Sequence, residues 1–136
     1  MKFLLDTDTC VFGLRGRAPV RDRLAVVGPA ETALSIITLA ELRYGASCSA
    51  RPEANHQAID DFISALAVLG VDLDIARAFG GIKAQLRQEG KLIEDLDLMI
   101  AATAHVYDLT LITNNTGHFG RISGLRLENW IESSPS

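Results

Sequence analysis

The sequence predicts an α/β fold of three layers, a short parallel sheet of four to five strands with helices on both faces. Two observations lead there. Short apolar, strand-like runs alternate along the chain with stretches of helical periodicity, the pattern of βα units. The chain also opens on Lys2-Phe3-Leu4-Leu5 and stops at Asp6-Thr7-Asp8-Thr9, a buried strand running straight into polar residues. Ligands bind at the carboxyl ends of strands in such sheets. Asp6 is therefore a site candidate from the start.

The elements follow in order. Residues 2–6 form the first strand. A short helix is expected from Thr9 to Arg15, and another after Pro19 through Val20-Arg21-Asp22-Arg23-Leu24-Ala25. Thr32 to Ile37 reads as a strand leading into a helix from Leu39 to about Ser49. Pro52 opens a helix whose apolar positions Ile59, Phe62, Ile63, Leu66 and Leu69 keep a period near 3.6. Gly70-Val71-Asp72-Leu73 reads as a short strand, and Ile75 to Gln88 as a helix stopped by Gly90. Asp95 to His105 is an alanine-rich helix. Leu109 to Thr113 is the fourth strand, and Leu125 to Glu128 a last edge strand. Residues 1–132 read as one domain and residues 133–136, Ser-Ser-Pro-Ser, as a disordered tail.

Composition narrows the class. A chain of 136 residues, 48% hydrophobic and 22% charged, can bury a full core without a metal or disulfide staple. Cys10 and Cys48 show no pairing motif, so both thiols read as packing groups in a cytoplasmic protein. No apolar run approaches the roughly 18 residues of a membrane span. The net charge of −4 disfavours a nonspecific polyanion binder. It leaves room for a nucleic acid held through divalent metals.

Each chemically competent residue has an ordinary explanation when taken alone. Asp6 can be a turn residue and Asp8 the N-cap of the next helix. Thr38-Leu39-Ala40-Glu41 matches a capping box, with Glu41 bonding back to the Thr38 amide. Asp97 suits the first turn of its helix, where a carboxylate complements the dipole. Asp95 reads as that helix's N-cap. Asn114 and Asn115 suit a turn.

Together they say more. Asp6, Glu41, Asp97 and Asn115 each fall just after a strand or at a helix start. If the strands are parallel neighbours, their ends lie about 4.8 Å apart and these side chains converge. Three clustered carboxylates raise one another's pKa unless a cation neutralises them. Oxygen ligands without His or Cys suit Mg²⁺ or Mn²⁺. Such a site suits phosphodiester hydrolysis, where the ion makes water more acidic and stabilises charge on phosphoryl oxygen.

Four segments carry a resemblance, in order from end to end of the chain. They are Leu4-Leu5-Asp6-Thr7-Asp8, Ile37-Thr38-Leu39-Ala40-Glu41-Leu42-Arg43-Tyr44-Gly45, Asp97-Leu98-Met99-Ile100-Ala101-Ala102, and Thr113-Asn114-Asn115-Thr116-Gly117-His118-Phe119. The set resembles PIN-domain ribonucleases, most closely the toxins of VapBC toxin–antitoxin pairs. The resemblance implies a PIN-like fold and a Mg²⁺- or Mn²⁺-dependent endoribonuclease. It implies that Asp6, Glu41 and Asp97 are the metal-site acids, with Asn115 beside them in catalysis. It further implies an RNA substrate, a homodimer and a VapB-type antitoxin that blocks the site. Two positions depart from the family pattern: Asp8 stands where D-T-N is usual, and His118 stands where an acid often precedes the phenylalanine.

The remaining polar and aromatic residues admit two readings each. Arg15, Arg17, Arg21 and Arg23 form the densest basic stretch, able to hold RNA phosphates or simply to solvate a face. His118 could orient a phosphate or shuttle protons near neutral pH. Tyr44 and Trp130 read as core or dimer contacts rather than base-stacking platforms. Met99 and the alanines at 101, 102 and 104 read as close helix–sheet packing. Two rival functions share the motifs. Asp6-Thr7-Asp8 also resembles the nucleophile motif of haloacid-dehalogenase-like phosphatases, although Lys83 and Lys91 sit poorly for the lysine that chemistry needs. The other rival is a non-catalytic PIN-fold binding module.

Overall fold

The computed structural model describes residues 1–132; the segment read as a disordered tail, 133–136, lies outside the described residues. Five strands form one sheet: β1 (Phe3–Leu5), β2 (Thr32–Ser35), β3 (Ala67–Leu69), β4 (Thr110–Ile112) and β5 (Leu127–Glu128). Their order is β3-β2-β1-β4-β5 and every pairing is parallel. β1 is central, with Leu5 opposite Leu34 on one side and Ile112 on the other. The chain winds outward from β1 to β3, then returns to the other side at β4. The crevice at the carboxyl ends of β1 and β4 is thus the switch point where parallel α/β sheets bind ligands.

Helices cover both faces. They are α1 (Thr7–Leu14), α2 (Ala18–Val27), α3 (Ile36–Ser47), α4 (Pro52–Ile63), α5 (Leu73–Gln88), α6 (Asp95–Val106) and the single turn α7 (Thr116–Phe119). Adjacent strand residues point to opposite faces, and the core divides accordingly. Leu4, Ala33 and Leu111 pack with Leu98, Ile100, Ala101 and Ala104 beneath α5 and α6. Leu5, Leu34 and Ile112 pack with Cys10, Val20, Leu42, Ile59 and Trp130 beneath α1 to α4. Continuous apolar runs in β1, β2 and β4 follow from this burial on both sides. Leu111 is fully buried, so Leu111→Ala should lower unfolding free energy by about 2–5 kcal/mol in urea titrations. A loss under about 1 kcal/mol would mean that the site collapses to fill the hole.

Several sequence expectations need correction. The third strand is Ala67–Leu69, not Gly70–Leu73, and α4 ends at Ile63. Leu66 and Leu69 continue the helical period by coincidence; parallel pairing of Ala67 and Val68 with Ala33 and Leu34 decides the matter. α1 starts at Thr7, because Asp6 rather than Asp8 is its N-cap and accepts from the Thr9 N–H at 2.8 Å. α3 starts at Ile36, because Ser35 ends β2 and caps the helix through the Ile37 N–H at 3.0 Å. Thr38 and Glu41 therefore fall inside α3 and form no capping box. Glu94 occupies the N-cap position of α6, while Asp95 is its first residue and pairs with Lys83 at 2.8 Å. The stop of α5 agrees with the sequence: Gly90 takes a left-handed φ of 68° just beyond the helix. Tyr44 is 74% exposed and no core residue, whereas Trp130 is buried. Cys10 is buried and Cys48 exposed, so only the first is a packing group.

Candidate metal centre

Asp6 leaves the end of β1 with its backbone N–H donating to the Ile112 carbonyl at 3.0 Å, the last rung between β1 and β4. The chain turns there into α1, and the turn points the Asp6 carboxylate into the crevice beside the β4 end. Thr7 and Asp8 follow in the first turn of α1. Glu41 projects from α3, Asp97 from the first turn of α6, and Asn115 from the loop after β4. One pocket is lined by Asp6, Thr7, Asp8, Glu41, Asp97, Asn115 and Phe119. Four separate segments thus place four carboxylates and one amide around a common space.

A threonine hydroxyl holds one of the acids and a threonine N–H another. Thr7 Oγ1 donates to Glu41 Oε1 at 2.7 Å and lies 3.3 Å from Thr38 Oγ1. This bond aims Glu41 across to α1. Asp6, only 4% exposed, accepts from the Thr9 N–H at 2.8 Å, and the side chains of Thr9 and Thr113 lie beside it. Thr9 Oγ1 also donates to the Ile112 carbonyl at 3.1 Å, which ties α1 to β4. Sequence reading gave no role to Thr7 or Thr113. Thr7 stood in plain view within Asp6-Thr7-Asp8; Thr113 becomes a neighbour of Asp6 only once β1 and β4 are known to pair.

The electrostatics are strained. Burial pushes the Asp6 carboxyl above its ordinary range, the nearby Asp8 charge adds to this, and the threonine hydrogen bonds work against it. Asp97 is pushed up to about 6, first by burial and then by the charges of Glu41, Glu94, Asp6 and Asp8. Cys10, behind the site, is held as an inert thiol by full burial, with Asp6 adding to the shift. The unfavourable charge density is what a hard cation relieves. Among the described residues, no three acidic, histidine or cysteine side chains stand close enough to enclose an ion as placed. The residues fit Mg²⁺ or Mn²⁺ in donor type and charge, and enclosing an ion requires the carboxylates to turn inward.

The basic stretch serves partly in structure. Arg17 and Arg21 lie over the Phe12 and Phe62 rings at 5.7 and 5.8 Å, and Arg23 approaches Glu128 at 3.6 Å. Arg15 instead borders an apolar groove between α1, α3 and α4, lined by Val11, Leu14, Leu42, Ala46 and Ile59. The groove adjoins the acidic pocket through Thr7 and Glu41, which line both. The phosphatase alternative meets an obstacle here: no lysine lines the Asp6 pocket among the described residues.

Comparison with known proteins agrees with this architecture. Residues 3–125 match the PIN domain family model. The chain is 40% identical over 131 residues to the tRNA(fMet)-specific endonuclease VapC of Shigella flexneri, covering 96% of this chain and 98% of that protein. It is 39% identical to ribonuclease VapC2 of Haemophilus influenzae, covering 96% and 99%. The fold superimposes on a chain of the crystal structure of DNA-bound VapBC from Salmonella typhimurium with a TM-score of 0.91 at 40% identity, over 96% of this chain and 98% of that one. It superimposes on a chain of VapBC2 from Rickettsia felis, bound to a promoter DNA fragment, with a TM-score of 0.89 at 34% identity, over 96% and 99%. The chain belongs to the PIN-domain family, in its VapC branch. Among the described residues no helix is long and apolar enough to cross a membrane.

Proposed function

We propose that this protein is a Mg²⁺- or Mn²⁺-dependent endoribonuclease, the toxin of a toxin–antitoxin pair, acting as a homodimer held in check by a VapB-type antitoxin. The observation that carries the chemistry is the single pocket in which Asp6, Asp8, Glu41, Asp97 and Asn115 meet at the switch point of the sheet. Support for the biological role comes from relatives named as VapC ribonucleases and from neighbours solved as VapBC complexes. Asp6, Glu41 and Asp97 would hold the ion. When bound, it supplies a more acidic water and stabilises charge on the phosphoryl oxygens.

The chain's own groups do the rest. Thr7 keeps Glu41 turned toward the pocket, and Thr9 and Thr113 work against the upward push that burial gives the Asp6 carboxyl. Asp97, whose carboxyl is pushed up to about 6, can take up a proton when the site lacks a counter-ion. Asn115 adds an amide without adding charge. The direct test is cleavage of purified RNA with and without Mn²⁺, starting from initiator tRNA because one relative carries that specificity in its name. Cleavage that persists in chelator would defeat the metal reading, and no cleavage of any RNA would defeat the ribonuclease reading.

A second test reads stability instead of activity. Asp97 has a folded-state pKa raised from 3.8 to about 6, so the proton favours the folded state. Its contribution is fully present below about pH 4 and is lost as pH rises through about 6. Asp6 is shifted in the same direction. The metal-free protein should therefore lose a few degrees in Tm between pH 5 and pH 7.5. Mn²⁺ should restore them at pH 7.5 and do little at pH 5, where the proton competes for Asp97. A Tm in chelator that rises from pH 5 to 7.5 would contradict the arrangement.

A further inference from the structure

His118 is exposed and does not line the acidic pocket, yet it is bonded to a residue that does. Asn115 Nδ2 lies 2.9 Å from His118 Nδ1. An amide nitrogen can only donate, so Nδ1 must offer its lone pair and the neutral ring carries its proton on Nε2. A carboxamide has nitrogen on one side and oxygen on the other, and holding the nitrogen toward His118 turns the oxygen away from it. The Asn115 backbone is fixed as well. Its N–H donates to Thr113 Oγ1 at 2.9 Å, and the Thr113 side chain lies beside Asp6. A chain of contacts thus runs from His118 through Asn115 and Thr113 to the most buried acid of the site.

We propose that His118 is a positioning residue that sets the polarity of the Asn115 amide, turning its carbonyl oxygen into the acidic pocket. The inference rests on the ribonuclease reading and deepens it. The pocket already carries four carboxylates, and the charges of Glu41, Asp6 and Asp8 add to the burial that pushes the Asp97 carboxyl up. A neutral oxygen adds an acceptor for a cation or a water without adding to the repulsion. The reversed amide would present two N–H donors, which can neither ligate a cation nor accept from water. An imidazole with an open Nδ1 enforces the first orientation.

The test starts from the metal-free protein. Imidazole ¹⁵N shifts of His118 at pH 8 should report an unprotonated Nδ1 and a protonated Nε2; the opposite tautomer would overturn the proposal. In the active protein, His118→Ala should lower kcat about tenfold, or about 1.4 kcal/mol, with KM for RNA unchanged. It should weaken Mn²⁺ binding by calorimetry to a similar degree. His118→Gln, whose Oε1 can accept the same bond, should recover most of both losses. The decisive comparison is in an Asn115→Asp background, where both side-chain ends are oxygen and no polarity remains to be set. There His118→Ala should cost less than about twofold in kcat and in Mn²⁺ affinity, since the sites no longer couple. Equal losses in both backgrounds would mean that His118 acts on the substrate directly, and no loss in either would leave it without a role. Failure of the ribonuclease reading looks different: wild-type protein would not cleave, while the tautomer measurement would still report on the hydrogen bond.

Discussion

Asp97→Asn should reduce Mn²⁺-dependent RNA cleavage by about a hundred- to a thousandfold or more, the scale seen when one group that stabilises transition-state charge is removed. The same substitution should raise the Tm of the metal-free protein at pH 7.5. The two effects have one cause. Asp97 sits half-buried, and that burial first, then the charges of Glu41, Glu94, Asp6 and Asp8, push its carboxyl up to about 6. Above that pH its charge opposes folding and attracts a cation. Asparagine has nearly the same shape and no charge, so it relieves the repulsion and forfeits the ligand, a trade of activity against stability. Calorimetry in chelator and cleavage assays in Mn²⁺ on the same preparation check both halves. If the variant cuts RNA at the wild-type rate, Asp97 is not part of the centre. If it loses activity by unfolding, Tm will fall instead of rising.

Asp6→Asn and Glu41→Gln should share the loss of cleavage while keeping their local bonds. In Asp6→Asn the remaining Oδ1 can still cap α1 by accepting from the Thr9 N–H. In Glu41→Gln the remaining Oε1 can still accept from the Thr7 hydroxyl. Retained folding with lost cleavage separates a role in the pocket from a role in holding α1 and α3.

The positions of Asp6 and Asp97 were readable from the chain because each combines a strong local pattern with a polar break. Leu4-Leu5 is apolar on both faces because β1 is central, and Asp6 is the first residue with no rung beyond it. Glu41 was harder. Two capping signals compete within four residues, Ser35 and Thr38, and local sequence ranks them about equally. Ser35 prevails because β2 ends there, with Ser35 still paired to Leu69 of β3. That tertiary constraint moves Glu41 from a helix terminus to the second turn, free to meet Thr7. The third strand shows the same limit. Four apolar residues from Leu66 to Leu69 fit a helix and a strand alike, and only the partner strand discriminates. α7 is a single turn, too short to display any period. The contact it creates between Asn115 and His118 was therefore invisible at the level of sequence.

An acidic pocket of this kind needs a cationic plug when it must be silent, and the last expected result concerns that plug. The wild-type chain expressed alone should be poorly tolerated by its host, and co-expression of a small adjacent gene product should restore growth. The inhibiting segment should be the C-terminal part of that partner, with an Arg or Lys directed at Asp6 and Asp97. Arginine is favoured because its planar fork meets carboxylates bidentately and keeps its charge when desolvated. The groove of Val11, Leu14, Leu42, Ala46 and Ile59 runs directly into the acidic pocket across Thr7 and Glu41. Apolar residues flanking the inserted base have a place to lie there. Such a segment can be disordered alone and fold on binding, so that a short peptide covers a wide surface. Replacing the inserted base with Ala should cost about 2–5 kcal/mol of binding, at least about thirtyfold in affinity, and restore RNA cleavage in the mixed sample. The loss should be smaller for a complex made with Asp97→Asn, because the charge the base answers is already gone. If no partner is recovered, and the free chain is harmless yet cleaves RNA, the toxin role falls and the nuclease stands alone.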